Sequence, residues 1–177
     1  GYEFGTLARV AVPAFTTFEY LDVSPSGISN LIFLWVPFTN GPNVFFFAQT
    51  SISSNTLLIR VSTDFTSIAT VGAMGAVGGL ANSFVFRTVI GDYVYFIQIG
   101  QTNLYRMHLT TGVADKLDIT SHATLTLLDD IWGLEGDGTQ YLYAVMSQGP
   151  GQNQLLVKID TTAFALTGWT WVDTGRD

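Results

Sequence analysis

The feature that most constrains this 177-residue chain is an internal repeat. Four apolar segments, each running into a polar turn, end at Val12, Val61, Leu109 and Ile159, at spacings of 49, 48 and 50 residues. A fixed period in this range marks one supersecondary unit copied along the chain, each copy burying its apolar surface against the next. A fold built from such units has a core made by stacking.

The units can be laid over one another. Residues 56–64 align with 104–112 and with 154–162, which puts His108 in line with Arg60 and Lys158. Upstream stand Asn43-Val44-Phe45, Tyr93-Val94-Tyr95 and Tyr141-Leu142-Tyr143, whose aromatic and β-branched side chains suit a pleated surface. Each follows a tight-turn signal, Asn40-Gly41, Gly91-Asp92 or Asp137-Gly138, residue types that tolerate positive φ. Segments 31–38, 83–90 and 125–134 supply a first strand, and 65–71, 113–119 and 164–166 a fourth. Repeated four-stranded antiparallel units predict an all-β chain, a small β-propeller of about four blades.

On this reading residues 1–177 form one propeller domain, with blades near 29–72, 80–120 and 121–167. The fourth blade is split between 1–28 and 168–177. Residues 6–23 supply two of its strands, Tyr2-Glu3-Phe4 a short second strand, and Trp169-Thr170-Trp171-Val172 a lone first strand. Shared by both termini, that blade closes the ring in cis. Completed by a neighbour's strand, it builds a polymer in trans. Tyr2, Phe4, Trp169, Trp171 and Val172 are the expected assembly residues. Beginning at Gly1, the chain is expected to come from a longer precursor.

Composition narrows the function. Hydrophobic residues make up 47% and charged residues 12%, against about 25% charged in ordinary soluble domains. The apolar surplus fits sheets packed on both faces, or a buried intersubunit surface. A net charge of −7, with Lys116 and Lys158 as the lysines, leaves no basic stripe for a nucleic acid. The longest apolar run, 31–38, is broken by Pro37 and falls far short of the ~20 residues of a membrane-spanning helix. With no cysteine, stability rests on packing. An acidic, lysine-poor, Thr-rich and Ser-rich chain of this kind is expected to be secreted, surface-exposed or part of a virion.

Chemistry is sparse. His108 reads as a solvent-facing polar slot, and His122 lies in an inter-blade loop without an acidic partner. Two histidines and no cysteine do not make a zinc site. Asp129, Asp130, Glu135 and Asp137 are the densest carboxylates. They offer oxygen ligands for Ca²⁺ or an acid/base pair for a glycan, yet Asp137-Gly138 is already explained as a turn, so Asp129, Asp130 and Asp137 are weak calcium candidates. The glycine-rich stretch 72–80 matches neither the dinucleotide nor the P-loop spacing. Trp35 and Trp132 fall in first strands and read as packing. Trp169 and Trp171 alternate with Thr170 and Val172, so both indoles leave the same strand face.

The run Asp137-Gly138-Thr139-Gln140-Tyr141-Leu142-Tyr143-Ala144-Val145, followed by Leu155-Leu156-Val157-Lys158-Ile159-Asp160-Thr161-Thr162, resembles the repeats of extracellular β-propellers of the quinoprotein-like and NHL-like groups. Asn103-Leu104-Tyr105-Arg106 and Thr110-Thr111-Gly112 repeat part of it. Hemopexin-like domains are similar in length and period, but they close with a disulfide that this chain lacks. The resemblance implies an architecture and no activity. The expected function is therefore a non-enzymatic extracellular or virion-type structural subunit, without cofactor, that self-assembles through its incomplete terminal blade. The alternative is a monomeric recognition module binding a glycan or protein at one mouth of the ring, near Asp92, His122 and Asp137.

Overall fold

The computed structural model describes residues 6–10, 18–22, 31–50, 56–73, 84–98, 102–121, 130–147 and 154–172. The chain divides into two compact units, Gly1–Asn82 and Ser83–Asp177. In the first, β1 (Thr6–Val10) and β2 (Phe18–Asp22) pair antiparallel, and β3 (Leu31–Asn40), β4 (Asn43–Thr50), β5 (Thr56–Ser62) and β6 (Ile68–Ala73) form a four-stranded sheet in chain order. The second unit holds two further such sheets. One is β7 (Phe84–Ile90), β8 (Tyr93–Gln98), β9 (Asn103–His108) and β10 (Ala114–Asp118); the other is β11 (Asp130–Gly136), β12 (Tyr141–Ser147), β13 (Gln154–Asp160) and β14 (Ala165–Val172). Every strand pair is antiparallel.

The same turn chemistry closes the same end of all three sheets. Gly41, Gly91 and Gly138 take φ of 55°, 57° and 81° in the turns between first and second strands, where a side chain would be strained. One residue beyond each third strand or at its end, a backbone N–H donates to the neighbouring turn: Thr63 to the Pro42 carbonyl, Leu109 to Asp92 and Thr161 to Gln140, at 3.0, 2.8 and 2.9 Å. A left-handed residue then turns the chain into the fourth strand, namely Phe65 (φ 65°), Gly112 (φ 68°) and Phe164 (φ 47°). The two phenylalanines adopt that strained conformation because their rings pack into apolar clusters.

Register corrects the sequence alignment in the middle unit. Phe45, Tyr95 and Tyr143 stand opposite Arg60, Arg106 and Lys158, while Asn43, Tyr93 and Tyr141 stand opposite Ser62, His108 and Asp160. His108 is thus the counterpart of Ser62 and Asp160, and Arg106 takes the place assigned to His108. The cause is a shorter hairpin: Val94 and Met107 pair across 13 positions, against 17 for Val44 and Val61 and for Leu142 and Ile159.

A second correction concerns the C-terminal strand. Trp169-Thr170-Trp171-Val172 is not a lone first strand of a blade split between 1–28 and 168–177; it is the outer half of β14, paired with β13 from Gln154↔Val172 to Asp160↔Ala165. A bulge between Leu166 and Gly168 absorbs Thr167, so pairing continues beyond the point where the sequence pattern breaks. Tyr2 and Phe4 lie outside the described residues.

Packing follows from the two-residue period of each strand. In the second unit, Tyr95, Ile97 and Leu104 on one face of the β7–β10 sheet share a cluster with Leu142, Ala144, Met146, Leu155, Val157 and Ile159 on one face of the β11–β14 sheet. The sheets approach closely at their first strands, where a Cβ on Gly136 would stand 2.9 Å from Ile90 Cδ1. In the first unit Ala48, Ile59 and Val61 are buried, with Phe46, Leu57, Phe65 and Ile68 packed against them. Phe38 stacks on Phe45 at 5.3 Å between ring centroids.

Candidate association surface

Among the described residues, three of the four exposed large apolar side chains lie on β14, and the fourth is Val113 in the turn before β10. Trp169, Trp171 and Val172 are 41%, 51% and 36% exposed, on a strand that pairs only with β13 in the described sheet. Trp169 stands across from Val157 and Trp171 across from Leu155, so both indoles project from one face, as their alternation implies. The bulge sets their position: Thr167 Oγ1 donates to the Lys158 carbonyl at 3.2 Å, and Gly168 has open space where a side chain would stand. Tryptophan is costly to leave in water and is a frequent energetic anchor of interfaces.

The carboxylate and imidazole candidates have other occupations. Asp137 Oδ1 accepts the backbone N–H groups of Thr139, Gln140 and Tyr141 at 2.8, 2.9 and 3.0 Å, and the Thr139 hydroxyl at 3.0 Å. These donors hold its carboxyl down to about 2. Asp160 Oδ1 accepts from Thr162 N and Ala163 N at 2.7 and 3.0 Å, and its carboxyl is lowered chiefly by the Ala163 N–H. Its Oδ2 accepts from Gln140 Nε2 at 2.8 Å. His108 Nδ1 accepts from Thr110 N and Thr111 N at 3.1 and 3.3 Å, and the ring stands edge-on to Tyr93 at 4.9 Å. In the first sheet Ser62 Oγ serves donors further along the turn, accepting from Thr66 N and Ser67 N at 3.2 and 3.0 Å.

Asp130 opens β11 opposite Ser147, and Asp129 and His122 lie outside the described residues. Among the described residues no group of three or more His, Cys, Asp or Glu side chains is placed to hold a metal ion. Asp92 contributes its carbonyl to the Leu109 N–H. Among those residues, too, no helix is long and apolar enough to cross a membrane.

Sequence reasoning missed the polar hub of the second unit. Arg106 Nε pairs with Asp115 Oδ2 at 2.9 Å on the neighbouring strand, and Nη1 donates to the Thr161 carbonyl at 2.9 Å in the next sheet. Its guanidinium lies 4.9 Å from the Tyr93 ring and 4.2 Å from Phe164. Beside it, burial raises the Tyr95 phenol above its ordinary value, against the opposing effects of Thr161 and Arg106. In the third sheet Lys158 Nζ sits 3.6 Å over Tyr141. A third-strand cation over the first residue of the second strand, Arg106 on Tyr93 and Lys158 on Tyr141, is the signature that could have corrected the alignment.

No family model matches this chain, and no curated protein matches it. Among solved structures it is similar to the β-propeller domain of the Trilobed protease from Pyrococcus furiosus, described as having an open velcro topology. The TM-score is 0.53 at 13% identity, over 80% of this chain and 43% of that one. This chain therefore spans less than half the length of that neighbour. The likeness and the three antiparallel four-stranded meanders make the chain an all-β protein of propeller type.

Proposed function

We propose that this chain is a non-enzymatic structural subunit, of an extracellular or virion type, whose copies associate through the outer strand β14. The observation that carries the reading is the run of exposed apolar side chains Trp169, Trp171 and Val172 on that strand. Large apolar side chains grouped on a sheet edge mark an interaction surface. The non-catalytic part of the reading is supported by Asp137 and His108, whose acceptor atoms serve backbone donors of their own turns. Light scattering on the purified chain tests it. The wild type is expected to run as a regular oligomer or filament and Trp169→Thr/Trp171→Thr as a smaller species with unchanged β-structure by circular dichroism. Equal mass in the two proteins overturns it.

A second reading is favoured by the paired turns at one end of each sheet, bonded to each other at Thr63, Leu109 and Thr161. Such a rigid edge suits a monomeric module that recognises a glycan or a protein. Glycan-array binding that is lost on changing Asp92 or Asp137, by a protein of monomeric mass, would establish it in place of the first.

A further inference from the structure

We propose that the β11–β14 sheet face carrying Tyr143, Val145, Leu156 and Lys158 is a docking surface for the first four-stranded sheet of a second copy of this chain. It rests on the self-association reading above and names a second pair of surfaces, on the opposite sheet face from Trp169 and Trp171.

The interface that this docking would reproduce is already present once within the second unit. By register, Tyr143, Val145, Leu156 and Lys158 hold the places of Tyr95, Ile97, Leu104 and Arg106. Tyr95, Ile97 and Leu104 are 1%, 0% and 0% exposed and share one core with the Leu142 face of the next sheet. Their counterparts Tyr143, Val145 and Leu156 are only half-buried. A face of the same build, with the same aromatic and aliphatic positions, is thus left partly uncovered.

The covering surface is equally defined. Leu142, Ala144, Met146, Leu155, Val157 and Ile159 correspond in the first sheet to Val44, Phe46, Ala48, Leu57, Ile59 and Val61. Val44, Phe46 and Leu57 are half-buried and Ala48, Ile59 and Val61 fully buried; among the described residues, Phe46, Leu57, Phe65 and Ile68 pack against those three. The chain therefore carries one copy of each half of an interface it already uses in which part of the face is left uncovered, at Tyr143, Val145 and Leu156 on one half and at Val44, Phe46 and Leu57 on the other. Continuing the stack from one molecule to the next gives a heterologous, head-to-tail contact.

The polar contacts repeat as well. Arg106 donates to the Thr161 carbonyl and lies on the Phe164 ring of the covering sheet. Lys158 is its counterpart, and in the first sheet Thr63 and the left-handed Phe65 hold the places of Thr161 and Phe164. A lysine has the cation and the reach to replace the arginine at a single carbonyl, though not at a planar fork.

Because the chain has no cysteine, single thiols can report the contact. Leu156→Cys and Phe46→Cys proteins are mixed and treated with a short bismaleimide, beside each variant alone and beside a chain carrying both changes. A heterodimer at least tenfold more abundant than either homodimer, with oligomer mass lost in Val145→Asp/Leu156→Asp at unchanged circular dichroism, is the expected result. Only intramolecular cross-linking in the double variant, or no heterodimer, overturns the proposal. If the oligomer resists Val145→Asp/Leu156→Asp but falls apart in Trp169→Thr/Trp171→Thr, the sheet-face contact fails and the β14 reading stands. A wild type of monomeric mass overturns both.

Discussion

The Arg106 guanidinium lies 4.2 Å from the centre of the Phe164 ring, joining the third strand of one sheet to the turn before the fourth strand of the next. The same group donates to the Thr161 carbonyl and pairs with Asp115. Apolar contact between neighbouring sheets carries no direction; a cation anchored by Asp115 on its own sheet and aimed at the Thr161 carbonyl and the Phe164 ring of the next supplies one.

Arg106→Met keeps the aliphatic stem and removes the cation. It strips the Thr161 carbonyl of a charge-assisted donor and the Phe164 ring of its cation, a loss of about 2 kcal/mol. The expected result is a lower urea midpoint with an unchanged slope. Arg106→Lys should recover less than half of the loss, because one ammonium cannot serve Asp115 and Thr161 with the same geometry.

His108 is expected to be replaceable by the aspartate that holds its place in the third sheet. His108→Asp keeps an acceptor for Thr110 N and Thr111 N, as Asp160 does for Thr162 N and Ala163 N. His108→Ser, with the shorter side chain that in Ser62 serves donors four and five residues on, should recover less. His108→Ala removes it and should cost about 1 kcal/mol, the usual loss when a side-chain acceptor is taken from a turn or cap. Thermal unfolding of the three variants checks the ranking. If His108→Asp loses as much as His108→Ala, the side chain matters for something other than the turn.

The strands and three of the tight turns were legible in the sequence because local signals set them: Gly41, Gly91 and Gly138 supply positive φ, and aromatic and β-branched runs follow. Two features were not. The short β8–β9 hairpin shifts the middle unit by two residues, and no local signal separates His108 from Arg106 as the partner of the slot held by Lys158; cross-strand register decides that. The bulge at Thr167 reads locally as a strand end, since Thr-Gly is a break signal, and only pairing with Lys158 and Ile159 shows that β14 runs on to Val172. The shared strand face of Trp169 and Trp171 was legible in their alternation, but the strand that carries them was misplaced.

Asp137 gives the turn between β11 and β12 a predictable acid response. Its folded carboxyl titrates at about 2, below the ordinary 3.8 of the unfolded chain. A depressed carboxyl contributes stability that is fully present above the unfolded value and is lost as pH falls through the folded one. Stability should therefore decline between about pH 4 and pH 2, and Asp160, shifted in the same direction, adds to the fall. Urea midpoints at pH 5 and pH 2.5 should differ less in Asp137→Asn than in the wild type. An unchanged difference would mean that other carboxylates carry the acid sensitivity.

Gly136 is a test of how the two sheets of the second unit meet. A Cβ there would stand 2.9 Å from Ile90 Cδ1, 3.1 Å from Ile90 Cγ1 and 3.2 Å from Thr88 Oγ1. The nearest atom is the end of a side chain, so the conflict is between a methyl and a methyl rather than with the backbone. Gly136→Ala should destabilise by about 1–3 kcal/mol, the usual range for overpacking a close contact. Ile90→Val removes the Cδ1 atom and by itself should cost about 1 kcal/mol. In the double variant the added Cβ occupies space that the lost methyl vacated, so the two costs should not add. A double-mutant cycle on urea unfolding should return a coupling of at least about 1 kcal/mol in favour of the pair. Additive losses would show that the conflict lies with Thr88 or is relieved by movement of β11 away from β7.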